Sequence, residues 1–243
     1  LKMSSARSSA IIAIDGPAGA GKSSVAIRLA ERLGLPYLDT GAMYRAVGLM
    51  AMREGRLPPF DVTKDGEALA KLAAGGLRVE PGSERMRVWF DDEEITDAIR
   101  TPECSVMASA VSALSEVRKA LVPEQRRMGL EAGGVMEGRD IGSVVFPDAH
   151  LKVFLTASPE TRGQRRYLEL RDRGVEVDLE TVLLEQADRD HRDSSRADSP
   201  LQVARGAVVV DTTGLSLEEV VDRLVKLFFA SETGRGYNEN GPS

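Results

Sequence analysis

The sequence predicts an α/β fold: a mostly parallel five-stranded sheet with helices between its strands and a small antiparallel β lobe set into it. Two observations carry that expectation. Short apolar runs at 11–14, 37–39, 135–136, 151–155 and 207–211 alternate with stretches whose apolar residues recur at helical spacing. Strands that alternate with helices pair in parallel and are covered on both faces. Over residues 77–100 the texture changes. There Met86, Val88 and Phe90 alternate with Arg87 and Trp89 behind a Pro81-Gly82 turn signal, the period-two pattern of a hairpin.

Taken in order, the first strand leads into Gly16-Pro17-Ala18-Gly19-Ala20-Gly21-Lys22-Ser23, and Val25, Leu29 and Leu33 then fall at helical spacing. The glycine stretch fits G-x-x-x-x-G-K-[ST] at every fixed position, between a strand and a helix start. Glycines let consecutive backbone N–H groups turn inward around a phosphate, and the helix N-terminus adds a partial positive charge. This is the pattern of a P-loop NTPase core that binds a nucleoside triphosphate. Lys22 is expected to reach the β- and γ-phosphates, and the Ser23 hydroxyl to hold Mg²⁺.

Beyond the loop, Gly34-Leu35-Pro36 ends the first helix and 37–39 is the second strand. Thr40 is the expected N-cap of a helix that lines up Met43, Val47 and Met50. Thr101-Pro102-Glu103 starts another helix. A further helix begins near Ser115, and Pro123 is expected to kink or interrupt it. Gly133-Gly134 resets the chain before a strand that ends at Glu137-Gly138-Arg139-Asp140. Ser158-Pro159-Glu160 opens a helix bearing Arg162, Arg165 and Arg166, and Asp178 caps the next. Ser216 to Glu219 is a capping box for the final helix. The expected organisation is a core over 11–60, an inserted lobe over 61–100, and the rest of the core over 101–229. That second part includes a lid at about 158–197, and 1–10 and 231–243 are loose ends.

Composition narrows the function classes. A net charge of -6 over 243 residues argues against a general nucleic-acid binder, yet 25 of the 32 basic residues are arginine. The planar arginine fork suits bidentate phosphate recognition. One cysteine, Cys104, excludes an intramolecular disulfide framework. With no apolar run near the ~18 residues of a membrane span and no apolar signal core at the first residues, the expectation is a cytoplasmic enzyme without membrane partners.

Three arginine-bearing segments follow the strands: Tyr44-Arg45, Arg139-Asp140, and the run from Arg189 to Arg196. Within the third, Arg189, Arg192, Asp193 and Arg196 fall at helical spacing and are expected to share a face. A solvated, ion-paired helix is one reading of such a run. Beside a phosphate loop the other is a set of convergent cations that offsets the repulsion between two phosphate groups. Arg162, Arg165 and Arg166 likewise read either as a surface helix or as a lid over the triphosphate. His150 and His191, the two histidines, are not placed as a base. Several arginines without a clear base favour a phosphate as acceptor, with Asp39 and Glu137 open as alternatives.

Four stretches occur in order: 15–24, 37–45, 138–149 and 189–196. Together they closely resemble bacterial cytidylate kinase, over residues 11–229. The resemblance implies transfer of the γ-phosphoryl of ATP to CMP or dCMP. It implies that Gly16, Pro17, Ala18, Gly19, Ala20, Gly21, Lys22, Ser23 and Ser24 hold ATP. Arg45, Arg139 and Arg196 would grip the CMP phosphate; Ser109, Arg118 and Asp140 would read cytosine; Arg189 and Asp193 would contact the ribose; and Thr40 belongs to the same substrate set. Lys22, Arg162 and Arg166 are the expected catalytic cations. Glu137 stands where the pattern is expected to have aspartate, and Ser23-Ser24 where glycine-threonine or serine-threonine is more usual. Two rival readings are a kinase for UMP or AMP on the same core, and a nucleotide-sensing or RNA-binding P-loop protein. The chain is expected to act as a monomer on small molecules, without nucleic acid.

Overall fold

In chain order the first half contains β1 (Ile11–Asp15), α1 (Lys22–Leu33), β2 (Tyr37–Asp39), α2 (Thr40–Arg53), α3 (Lys64–Gly75), β3 (Leu77–Glu80), β4 (Arg87–Phe90) and β5 (Glu93–Glu94). The second half contains α4 (Pro102–Val111), α5 (Ser115–Ala132), β6 (Gly134–Gly138), β7 (Leu151–Thr156), α6 (Pro159–Asp172), α7 (Leu179–Ser195), β8 (Val208–Asp211) and α8 (Leu217–Arg235). This computed structural model describes residues 10–81 and 85–235. Gly82, half of the expected turn signal, and the expected loose ends at 1–9 and 236–243 lie outside the described residues.

Five strands form one sheet in the order β2-β6-β1-β7-β8, and each pairing is parallel. The period of two along β1 shows why both faces must be covered. Ile11 and Ala13 join the core beneath α2, α4 and α5, while Ile12 and Ile14 join the core beneath α1 and α8. Register then fixes the functional edge. Asp15 pairs with Gly138, and Asp39 with Glu137, so the carboxyl ends of β1, β2 and β6 finish level. In an open parallel sheet that edge is where ligands sit.

The remaining strands make a separate antiparallel sheet, β3-β4-β5. Val79, Met86 and Val88 point into the same core as Leu69 of α3. Trp89 faces the other way, and the guanidinium carbons of Arg78 and Arg87 stack 4.0 and 4.6 Å from its ring centre. Those cations leave the indole only 8% exposed.

Four sequence expectations need correction. The N-cap of α2 is Asp39, whose Oδ1 accepts from Ala42 N at 3.1 Å. Thr40 is already helical, and its hydroxyl donates instead to the Glu137 carbonyl at 2.7 Å. Helix α5 runs unbroken through Pro123. Pro123 and Lys119 are exposed, so the Lys119 carbonyl that loses its partner faces water, while Val117, Leu121 and Met128 hold the opposite face in the core. The expected loose ends are shorter than read: Ala10 is buried, and α8 continues to Arg235. Finally, Arg192 does not share the face of its neighbours. It is exposed, whereas Asp193 is buried and Arg196 lies just past the helix in extended backbone.

Candidate active site

The loop between β1 and α1 owes its shape to backbone that only glycine tolerates. At Gly16, φ is +149° and an added Cβ would lie 2.0 Å from the Leu155 carbonyl oxygen. Gly21, at φ +88°, caps α1 without a side chain. Lys22 follows, buried, and its Nζ donates to the Pro17 carbonyl across the loop at 2.7 Å.

A cleft of about 650 Å³ opens over this loop. Ala18, Gly19, Gly21, Lys22, Ser23 and Ser24 line it from the glycine-loop side; Gly16, Pro17 and Ala20 are not among its lining residues. Facing the loop are Thr40, Arg45, Ser109, Arg118, Arg139 and Asp140, with Arg166, Arg189, Asp193 and Arg196 from the 158–197 segment. Residues from β2, α2, α4, α5, α6 and α7 therefore meet above the carboxyl edge of the sheet. Of the segment 61–100, Arg100 alone lines the cleft among the described residues.

The carboxylates sort the cations into pairs. Arg45 Nη2 donates to Asp39 at 2.5 Å, Arg139 Nε donates to Asp193 at 2.9 Å, and Arg196 Nη2 lies 3.3 Å from the same aspartate. Arg118 is ion-paired with Asp140, and its Nη1 also approaches the Tyr44 hydroxyl at 3.4 Å. Burial alone would raise the Asp193 carboxyl, but Arg139, Arg196 and Arg189 outweigh it and hold it low. Positive charge is nevertheless in excess. Burial, with Arg139 close by, pushes the Arg189 guanidinium down to about 10. The same two causes, in the same order, push Lys22 down. Arg45 Nε, Arg189 Nε and Ser109 Oγ are buried without a hydrogen-bond partner. Buried donors in that condition cost free energy until an acceptor meets them, and crowded cations favour a polyanion.

A family model described as cytidylate kinase matches residues 12–229. The chain belongs to the cytidylate kinase family. The chain is 50% identical over 214 residues to a cytidylate kinase of Geobacter sulfurreducens, covering 88% of this chain and 90% of that protein. It is 46% identical to a cytidylate kinase of Desulfitobacterium hafniense, covering 94% and 97%. It is also 49% identical to a bifunctional pantoate ligase/cytidylate kinase of Synechococcus elongatus, of which it spans 44%. The chain thus spans less than half the length of some of its relatives. A solved structure of an uncharacterized protein from Eubacterium ventriosum shares the fold, with a TM-score of 0.51 at 16% identity over 91% of this chain and 99% of that one.

Three features of this cleft escape the sequence reading. Tyr37 donates its hydroxyl to Glu137 Oε1. Burial first, then Asp39, pushes the tyrosine up, so it remains a donor. It takes up the longer arm of the glutamate, and in a sequence it is one more apolar strand residue. Arg100 and Arg173 meet at the mouth of the cleft, where Arg173 Nη1 donates to the Arg100 carbonyl at 3.1 Å. The third is a displacement: Arg162, expected as a catalytic cation, does not line the cleft. It lies behind the loop, where Nη1 donates to the Ala18 carbonyl at 3.1 Å and Nη2 pairs with Asp190 at 2.6 Å. Arg165 and Arg166 do line the cleft.

Proposed function

We propose that this chain transfers the γ-phosphoryl group of ATP to CMP or dCMP, giving ADP and CDP or dCDP. The observation that carries the reading is the surplus of cations facing the glycine loop, with Arg189 pushed down to about 10 by burial and, after it, by Arg139. Such a pocket suits a second phosphate brought up to the first.

In this reading the backbone of 16–24 cradles the triphosphate and Lys22 swings from the Pro17 carbonyl to its β- and γ-oxygens. Arg45, Arg139 and Arg196 hold the acceptor phosphate opposite, with Arg166 added from the lid. Their charge offsets repulsion between the two anions and stabilises the transferring group. Asp193 and Arg189 orient the ribose, and Thr40 steadies the acceptor end. Asp140, paired with Arg118, accepts from the exocyclic amine of cytosine, while Arg118 and Ser109 donate to O2 and N3. Uracil would present a carbonyl to that carboxylate, and an unpaired buried group rejects a near-isostere strongly. An acceptor phosphate oxygen is already anionic, so no residue need take its proton.

Mg²⁺ fits the donors present. Ser23, Asp39 and Glu137 offer hydroxyl and carboxylate oxygens at one end of the cleft, the hard donors that Mg²⁺ takes together with substrate phosphates. When bound there it would neutralise charge on the β- and γ-phosphates. The segment 61–100 is the proposed monophosphate lobe and 158–197 the proposed lid. Among the described residues no helix is long and apolar enough to cross a membrane. One cysteine, buried at Cys104, suits a reducing compartment, so the proposed place of action is the cytoplasm.

A coupled assay with ATP and Mg²⁺ across CMP, dCMP, UMP, AMP and GMP tests the reading. CMP or dCMP should give the highest kcat/KM. A better UMP or AMP substrate would move the assignment to another monophosphate on the same core.

A further inference from the structure

Arg162 sits where three elements of the fold come together. It belongs to the first turn of α6, and its side chain is 7% exposed. Each guanidinium nitrogen has a different partner. Nε donates to the Ala157 carbonyl at the end of β7 at 3.2 Å, Nη1 to the Ala18 carbonyl in the glycine loop, and Nη2 to Asp190 of α7. Contact with the loop is close enough to exclude a side chain. A Cβ on Gly19 would lie 2.8 Å from the Arg162 carbonyl oxygen and 2.9 Å from its Cβ. On the far side α6 and α7 are equally tight, since a Cβ on Gly163 would lie 2.3 Å from Leu183 Cδ2. Gln186 Nε2 adds a bond from α7 to the Pro159 carbonyl at 3.1 Å.

Asp190 is therefore the only carboxylate this buried cation meets among the ion pairs of the described residues, and it precedes no ordinary helical surface. Arg189, its neighbour in sequence, and Asp193, one turn later, both line the cleft on the acceptor side. One forked side chain therefore bridges the loop at Ala18 and the helix that carries those two groups. A lysine could not do this, because its three donors sit on one nitrogen at the end of a flexible stem and cannot span partners that the planar fork reaches from three separate nitrogens.

We propose that Arg162, acting through Asp190, is a positioning residue that couples the donor loop to α7, so that ATP and the acceptor monophosphate tighten one another's binding. The inference rests on the proposed function. It assigns Arg162 no contact with either phosphate, which separates it from a catalytic cation.

The test measures CMP affinity by calorimetry with and without a saturating non-hydrolysable ATP analogue and Mg²⁺. The variants are Arg162→Lys, Asp190→Asn and the pair, chosen because Arg162→Ala would leave the half-buried Asp190 and two backbone carbonyls without a partner. The native chain should show coupling on the order of tenfold, and by linkage the same factor for the analogue in the presence of CMP. In each single variant the factor should fall towards one while CMP alone binds with its native affinity. The pair should lose no more than either single change. An unchanged factor, or a variant that weakens the analogue alone and leaves the factor intact, overturns the proposal; the second result would make Arg162 a phosphate ligand. Hydrogen exchange without any nucleotide separates this claim from the one beneath it. Should the native chain not bind CMP, the proposed function fails; the clamp then stands if both single variants speed exchange in the loop 17–21 and in α7 together. Acceleration on one side only overturns it.

Discussion

Asp140 and Arg118 are buried against each other, so either can present a polar edge to a base only while the other holds it in place. Asp140→Asn keeps the size and one acceptor but adds a donor that suits a carbonyl as well as an amine. The ratio of kcat/KM for CMP over UMP should fall at least about tenfold, a loss of about 1.4 kcal/mol in discrimination. Arg118 also loses its counter-charge, which can cost about 3–5 kcal/mol, so the assay belongs below a measured melting point. An unchanged ratio in folded protein would remove Asp140 from base recognition. At this scale the sequence is informative where chemistry depends on short spacing, as in the glycine loop and Arg139-Asp140. It is silent where reach decides. Arg162, Arg165 and Arg166 look equivalent on paper, but the Ala157 and Ala18 carbonyls and Asp190 hold the first away from the cleft that the other two line. Tyr37 was hidden for a related reason: a strand residue buried on both sides carries no mark of the carboxylate its hydroxyl meets.

At the scale of elements, the parallel strands were legible because a strand covered on both faces carries a run of apolar residues, as β1 does over Ile11 to Ile14, β6 at Val135 and Met136, and β7 over Val153 to Leu155. The hairpin lobe was legible because one of its faces is polar and the pattern alternates. Helix boundaries were less so. Asp39 and Thr40 are both good caps, and the choice between them was made by the Glu137 carbonyl, distant in sequence, which claims the Thr40 hydroxyl. Pro123 shows tertiary packing overriding propensity. The helix survives it, but the missing N–H and the ring clash with the preceding turn remain as a cost of up to about 3 kcal/mol. Pro123→Ala should therefore stabilise the chain. Greater freedom of the unfolded state returns some of the gain, leaving about 1–2 kcal/mol and a rise of a few degrees in Tm. Differential scanning calorimetry reads this directly. A lower Tm would mean that the proline ring fills a contact on α5 that outweighs the lost hydrogen bond.

For the whole molecule, Asp15 joins stability to the geometry of the cleft. It ends the central strand and accepts from the Ile141 and Gly142 amides, each at 2.7 Å, so it holds the turn that follows Arg139 and Asp140. Burial pushes its carboxyl up to about 6, and the two amides only partly oppose that. An unfolded aspartate ionises near 3.8. Between those values the native state keeps a proton that the unfolded chain gives up, so the native state binds more protons and stability falls as pH rises. Over the whole titration the change is about 3 kcal/mol, about 2 of it between pH 4 and 6, and the slope from this group fades out by about pH 7. Activity should move the opposite way. A protonated acid keeps one strong acceptor oxygen, so on acidification through pH 6 one amide loses its partner and the turn bearing Arg139 and Asp140 loosens. Urea melts and kcat/KM over pH 4.5 to 7.5 should therefore diverge, with the fold firmer and the enzyme slower at the acid end. Asp15→Asn, which cannot ionise, should flatten the stability slope relative to the native chain and depress kcat/KM at every pH. A variant with the native slope would show that another buried group carries it, and with it the link between the central strand and the proposed acceptor site.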